Sequence, residues 1–175
     1  MANYHLSIKH ISRSTGRSAV SAAAYRSREK LYDERQGITF DYTKKRDLAH
    51  AEIILPENAP ERWKDRETLW NEVERSEKRK DSRLSKEVEI ALPKELNLDQ
   101  QIALVREYIQ TQFVDKGMVA NVILEEELEP VSPEAFPQIC LFLALLNTIS
   151  AVSRASRASF SLGKESASDP GSASG

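Results

Sequence analysis

Tyr25 ends an alanine-rich run, Ser18-Ala-Val-Ser-Ala-Ala-Ala-Tyr25-Arg26, and has Arg13, Arg17, Arg26 and Arg28 close by in sequence. Small residues leave one helix face unobstructed, and guanidinium groups attract and orient phosphate. The arrangement could carry a phenol to a phosphodiester, where it would act as a nucleophile. A tyrosine at the end of an alanine run can equally be a packing residue whose hydroxyl reaches the protein edge. A phenol with a pKa of about 10 attacks poorly at neutral pH without a metal or base, so the nucleophilic reading requires further groups around it.

Charge is distributed to suit a polyanion at the N-terminal end. Residues 1–50 carry ten lysines and arginines against five acids, while residues 122–175 carry three against seven, within an overall charge of −2. Lys44 and Lys45, in the charged turn before Asp47, join the four arginines as candidate DNA contacts. The lone Cys140 excludes an internal disulfide and has no Cys or His at metal-ligand spacing, which reads as a reduced, cytoplasmic protein. The start of the chain alternates like a strand and does not resemble a secretory signal.

The elements expected to position these residues follow from periodicity. Tyr4, Leu6 and Ile8 alternate with His5, Ser7 and Lys9, predicting a half-buried strand over 3–11. A helix is expected from Ser18 to about Lys30, then a turn at Gly37, a short strand over 38–42 and another over 52–55. Asn58-Ala-Pro-Glu61 reads as the start of a helix carrying Trp63 and Trp70 as core residues, with residues 72–80 as its solvated end. Val88, Ile90 and Leu92 alternate with Glu87 and Glu89 in a strand ended by Pro93. Asn97 with Gln100 forms a capping box for a helix reaching Gly117, and a strand begins at Met118. The order predicts an α+β fold with a mostly antiparallel sheet covered by helices.

In this order, Tyr4-His-Leu-Ser-Ile-Lys with Gly16-Arg-Ser-Ala and Ala24-Tyr25, Tyr32-Asp-Glu-Arg with Asp41-Tyr-Thr-Lys, and Lys86-Glu-Val-Glu-Ile-Ala-Leu-Pro93 make residues 1 to about 122 resemble the relaxase domain of the MobA/MobL (MobQ-type) plasmid mobilisation proteins. The resemblance implies a relaxase-like fold and site-specific nicking of one strand of single-stranded or supercoiled plasmid DNA at a transfer origin. It also implies Tyr25 as the nucleophile and relaxosome accessory proteins as partners. In the family a histidine triad holds Mg²⁺ or Mn²⁺, which polarises the phosphate. Here no histidine follows His50, so the triad is missing, no metal ligands are assigned and no ion is expected to be bound. Glu87 and Glu89, two apart on one strand face, could lie near a hard cation or could form a polar sheet face.

Residues 123–152 depart from the family and read as a foreign segment left by a frameshift or truncation. An uncharged run over 135–153 predicts a buried or amphipathic helix starting near Ser132; Pro137, Gln138, Asn147 and Thr148 make a membrane span a poor reading. Residues 153–175, rich in Ser, Ala and Gly, read as a disordered tail. The alternatives to an impaired nickase are a noncatalytic single-stranded DNA binder and a degenerate interaction or membrane-associated fragment.

Overall fold

A computed structural model describes residues 6–79, 81–93 and 95–125, and the backbone of 138–144. Five strands form one antiparallel sheet in the order β1-β5-β7-β6-β4: β1 (Leu6–Ser12), β4 (Leu48–Ile54), β5 (Arg83–Ala91), β6 (Val119–Glu125) and β7 (Gln138–Ala144). A hairpin of β2 (Lys30–Asp33) and β3 (Ile38–Asp41) stands apart from it. The predicted α+β architecture is the one observed.

Residue alternation assigns the two sheet faces. Along β6, Val119 and Ile123 enter a core with Ile11, Trp63, α1 (Ala19–Ser27) and α2 (Arg66–Ser76). Ala120, Val122 and Leu124 enter a second core with Val88, Leu92 and α3 (Leu98–Ile109). β6 is therefore largely apolar on both faces, as a strand covered on both sides tends to be, the exception being buried Asn121, which accepts from Arg66 Nε at 3.1 Å.

Several elements differ from their predicted form. β1 forms as a strand, but the face expected to be buried is not: Leu6 and Ile8 are 63% and 58% exposed and Ile11, on the other face, is buried, because β1 is an edge strand and the core beneath α3 draws its strand residues from β4, β5 and β6. The helix expected through both tryptophans is broken: a 3₁₀ turn over Glu61–Lys64 ends at Asp65, whose extended backbone and side chain cap α2 by accepting the Thr68 N–H at 2.8 Å. Trp63 and Trp70 are nonetheless core residues, at 1% and 0% exposure. The end of α2 is not wholly solvated, since Glu74 is buried. The helix expected to run to about Lys30 stops at Ser27, where Arg28 turns left-handed (φ 57°), and β2, which has no counterpart among the expected elements, begins at Lys30.

The largest difference lies after β6. Where a helix was expected, residues 138–144 form β7, inserted between β5 and β6 and paired with both. A short apolar run has no period that separates a buried strand from a buried helix, and a gap between two strands leaves a ladder of backbone groups for it to satisfy. The expected helix start near Ser132 and the tail over 153–175 lie outside the described residues.

Candidate functional site

α1 is anchored at its N-terminus by groups from distant parts of the chain. Ser18 is the N-cap, its hydroxyl accepting the Ser21 N–H at 3.3 Å and donating to the buried carboxylate of Asp33 in the hairpin. Glu74 on α2 accepts the Ala19 N–H at 2.8 Å. Ala19, Ala23 and Ala24 are fully buried, and the absence of bulk on that face lets α1 sit close to α2. This leaves Tyr25 in the last turn of α1, 39% exposed.

The Tyr25 ring has three kinds of neighbour. Tyr42, just beyond β3, meets it edge to face with centroids 5.3 Å apart and planes at 83°. Lys45 Nζ lies 4.0 Å from the ring centroid, and the guanidinium carbons of Arg28 and Arg26 lie 5.1 and 5.9 Å from it. Ser18, Ser21, Ala22 and Tyr25 present one face of α1 to a cleft of about 340 Å³ that Arg17, Arg26, Tyr42 and Glu87 also line. The small residues thus divide between two faces: Ala19, Ala23 and Ala24 pack inward, and Ser18, Ser21 and Ala22 border the cleft.

The six candidate phosphate contacts divide into two sets. Arg13, Arg26 and Arg28 are engaged within the protein. Arg13 donates through Nε (3.1 Å) and a terminal nitrogen (3.0 Å) to the Glu74 carboxylate, which also accepts from Arg35 Nε at 3.0 Å. One terminal nitrogen of Arg26 sits 2.5 Å from Glu87 and 2.6 Å from Glu89, and the other sits 3.2 Å from Glu125. Arg28 donates twice to Asp47, at 2.6 Å each, and to the Tyr25 carbonyl. Arg17, Lys44 and Lys45 are exposed. Arg17 reaches the cleft and Lys45 the phenol.

Titration follows these contacts. The hydrogen bond from Arg28 holds the Asp47 carboxyl below its ordinary value against the effect of burial, and the same bond raises the Arg28 guanidinium. Burial pushes the Glu89 carboxyl up but is outweighed by the Lys9 hydrogen bond and the Arg26 charge, so that it stays below its ordinary value. Both carboxylates are ionised at neutral pH and neutralise the arginines beside them.

Glu87 and Glu89 are therefore neither a solvent-facing polar strip nor an open cation site, because they share the Arg26 guanidinium. Among the described residues no group of three or more His, Cys, Asp or Glu is placed to hold a metal ion. His10 and His50 sit on opposite edge strands, with His50 Nε2 3.1 Å from Glu52; His5 lies outside the described residues. Sequence reasoning missed Glu74, Asp47 and Glu125 as partners of the arginines, and Tyr42 as a neighbour of Tyr25. Only the Asp41-Tyr42-Thr43-Lys44 block carried any signal for them.

This arrangement coincides with a match to the family model described as MobA/MobL family over residues 17–135. The chain belongs to the MobA/MobL family. Similar relatives are the conjugal transfer protein TraA of Rhizobium radiobacter (41% identity; 78% of this chain, 14% of the relative) and the mobilization protein MobL of Acidithiobacillus ferridurans (47%; 71% and 32%). The chain thus spans well under half the length of these relatives. A solved structure titled "Molecular Basis of Vancomycin Resistance Transfer in Staphylococcus aureus" superposes with a TM-score of 0.74 at 32% identity, over 82% of this chain and 71% of that one. These matches place the chain in the MobA/MobL family, beside proteins named for conjugal transfer and mobilisation, and the superposition bears out the expected α+β fold. No helix among the described residues is long and apolar enough to cross a membrane.

Proposed function

We propose that the chain is a relaxase-type DNA-binding domain that engages single-stranded plasmid DNA at a transfer origin, with Tyr25 facing the scissile phosphate and strand cleavage impaired. The observation that carries this reading is the placement of an exposed tyrosine beside an open cleft, with the Lys45 ammonium 4.0 Å from its ring. Supercoiled plasmid and relaxosome accessory proteins are the further partners that this reading entails.

In the proposed step Tyr25 Oη attacks phosphorus and the bond to the 3′ oxygen breaks. The products are a tyrosyl 5′-phosphodiester and a 3′-hydroxyl, the phenol proton ending on the leaving oxygen. Reversal reseals the strand without a nucleotide cofactor, because the phosphoester bond is conserved. In the family a divalent ion supplies charge stabilisation for the phosphoryl oxygens, and among the described residues no three His, Cys, Asp or Glu are grouped to hold one. Arg17 and Lys45 can attract the DNA backbone, whereas Arg26 and Arg28 are already neutralised by Glu87, Glu89, Glu125 and Asp47. Loss of metal-assisted stabilisation costs several kcal/mol, roughly a thousandfold or more in rate. DNA binding is accordingly better preserved than cutting.

The test is incubation of the full chain with labelled single-stranded transfer-origin oligonucleotides, with and without Mn²⁺, beside Tyr25→Phe on denaturing and native gels. A slow covalent band lost in Tyr25→Phe supports the nucleophile. Intact DNA with salt-sensitive binding supports a noncatalytic binding domain, the reading favoured by the occupied carboxylates of β5. Absence of both adduct and binding overturns the proposal.

A further inference from the structure

The turn that joins β3 to β4 is built to hold one side of the Tyr25 ring. Asp41 accepts both the N–H of Thr43 (3.1 Å) and its hydroxyl (2.7 Å), and the Tyr42 carbonyl accepts the Lys45 N–H at 3.1 Å. The Thr43 hydrogen bonds hold the Asp41 carboxyl below its ordinary value, so it remains an ionised acceptor at neutral pH. Tyr42 N–H donates to the Glu29 carbonyl at 3.3 Å, which ties the turn to the segment leaving α1. The Tyr42 side chain is partly buried against the core that α1 shares with α2. Two different groups thus reach Tyr25 from one hydrogen-bonded turn: an aromatic ring at 5.3 Å and an ammonium at 4.0 Å.

An exposed tyrosine at the end of a short helix ordinarily samples several side-chain rotamers, and fixing it on the cleft side needs neighbours that block the others. Edge-to-face packing fixes ring orientation, and a cation over the ring face favours the same pose. Neither contact comes from α1 itself, so orientation of the phenol is set separately from placement of the helix. The geometry points to Tyr42 and Lys45 as positioning residues for Tyr25: Tyr42 sets the ring angle, and Lys45 holds the ring by placing its ammonium over the ring face. This inference rests on the reading of Tyr25 as the DNA-facing phenol.

The experiment begins with the full chain carrying 3-fluorotyrosine at position 25, followed by ¹⁹F NMR. Tyr42→Leu and Lys45→Met are expected to move the resonance toward its unfolded-chain position and to narrow it, while Tyr42→Phe and Lys45→Arg retain the parent signal. Superimposable spectra for all four variants overturn the inference. Far-UV circular dichroism melts check that each variant folds; a Tyr42→Leu chain that does not fold leaves the Lys45 pair to decide. In single-turnover adduct formation, Tyr42→Leu is expected to react about ten- to hundredfold more slowly, the cost of a misplaced nucleophile, with the half-saturating oligonucleotide concentration unchanged. An equal rate for Tyr42→Leu overturns positioning and leaves the role of Tyr25 intact. If the parent chain forms no adduct, the nucleophile reading falls and the ¹⁹F spectra alone decide whether the turn positions the ring.

Discussion

Replacement of Glu74 by alanine tests whether a buried carboxylate on α2 is what places the helix that carries Tyr25. The Glu74 side chain is 1% exposed and makes three kinds of contact: to the Ala19 N–H at 2.8 Å, to Arg13 at 3.0 and 3.1 Å, and to Arg35 at 3.0 Å. The Arg35 side chain is 39% exposed and can return to water, so its pairing contributes little, about 0–1 kcal/mol. Arg13 is 14% exposed and would keep only the backbone carbonyl of residue 74 as a partner. Removing one partner of a buried pair costs about 3–5 kcal/mol, a range that already includes the charge left behind. With an m-value of about 2 kcal/mol per M in urea, a loss of about 4 kcal/mol lowers the unfolding midpoint by about 2 M. Glu74→Gln keeps an acceptor for the Ala19 N–H and loses the charge, and it should fall between the two. The assay is equilibrium urea unfolding followed by circular dichroism and tryptophan fluorescence, Trp63 and Trp70 both being core residues. A shift for Glu74→Ala smaller than about 0.5 M, or about 1 kcal/mol, refutes the reasoning.

Acid is expected to weaken the Arg28–Asp47 pair. The Asp47 carboxyl is held below its ordinary 3.8, so the unfolded state binds the proton first; the contribution is complete above that value and is lost as pH falls through the folded value. Urea unfolding between pH 5 and pH 2 (about one unit above to two below that of a free aspartate) should show a shallower acid limb for Asp47→Asn. In single-stranded DNA binding, alanine at Arg17, Lys44 or Lys45 should each reduce the slope of log K against log salt by about 0.7. Arg13→Ala should leave that slope unchanged, because Arg13 is spent on Glu74. The affinity for the same oligonucleotide should be equal in EDTA and in Mn²⁺, since the β5 carboxylates already hold Arg26; tighter binding in Mn²⁺ refutes this. Leu141→Pro removes a ladder N–H in the middle of β7 and should abolish cooperative unfolding, which circular dichroism melts would show.

The parts of the fold legible in the sequence are those set by local chemistry. The Asn97–Gln100 capping box forms as read, both reciprocal bonds being 3.0 Å long. The β5 alternation also holds, with Val88 and Ile90 in the core beneath α3. What was not legible depends on pairing across the chain. Arg13 meets a residue 61 positions away and Arg26 one 99 positions away, so no local pattern could show that these arginines point inward. Leu6 and Ile8 illustrate a different limit: the alternation identified a strand correctly, but its place at the sheet edge is a property of topology. β7 was misread because an uncharged run without a period takes its conformation from the slot that receives it.

That slot also determines when the molecule can finish folding. β5 and β6 share no hydrogen bonds with each other, and each is joined to the sheet's other half only through β7. Before residues 138–144 arrive, the chain can form two separate two-stranded ladders, β1 with β5 and β4 with β6, each exposing an unpaired inner edge. Non-local closure of this kind is slow, because the entropy of ordering the intervening chain is lost before the last contacts compensate for it. Arg26, next to Tyr25 in α1, spans that seam, bridging Glu89 on one ladder and Glu125 on the other. A nascent chain would therefore hold Tyr25 above a divided sheet and acquire the Arg26 bridge only as the last strand enters.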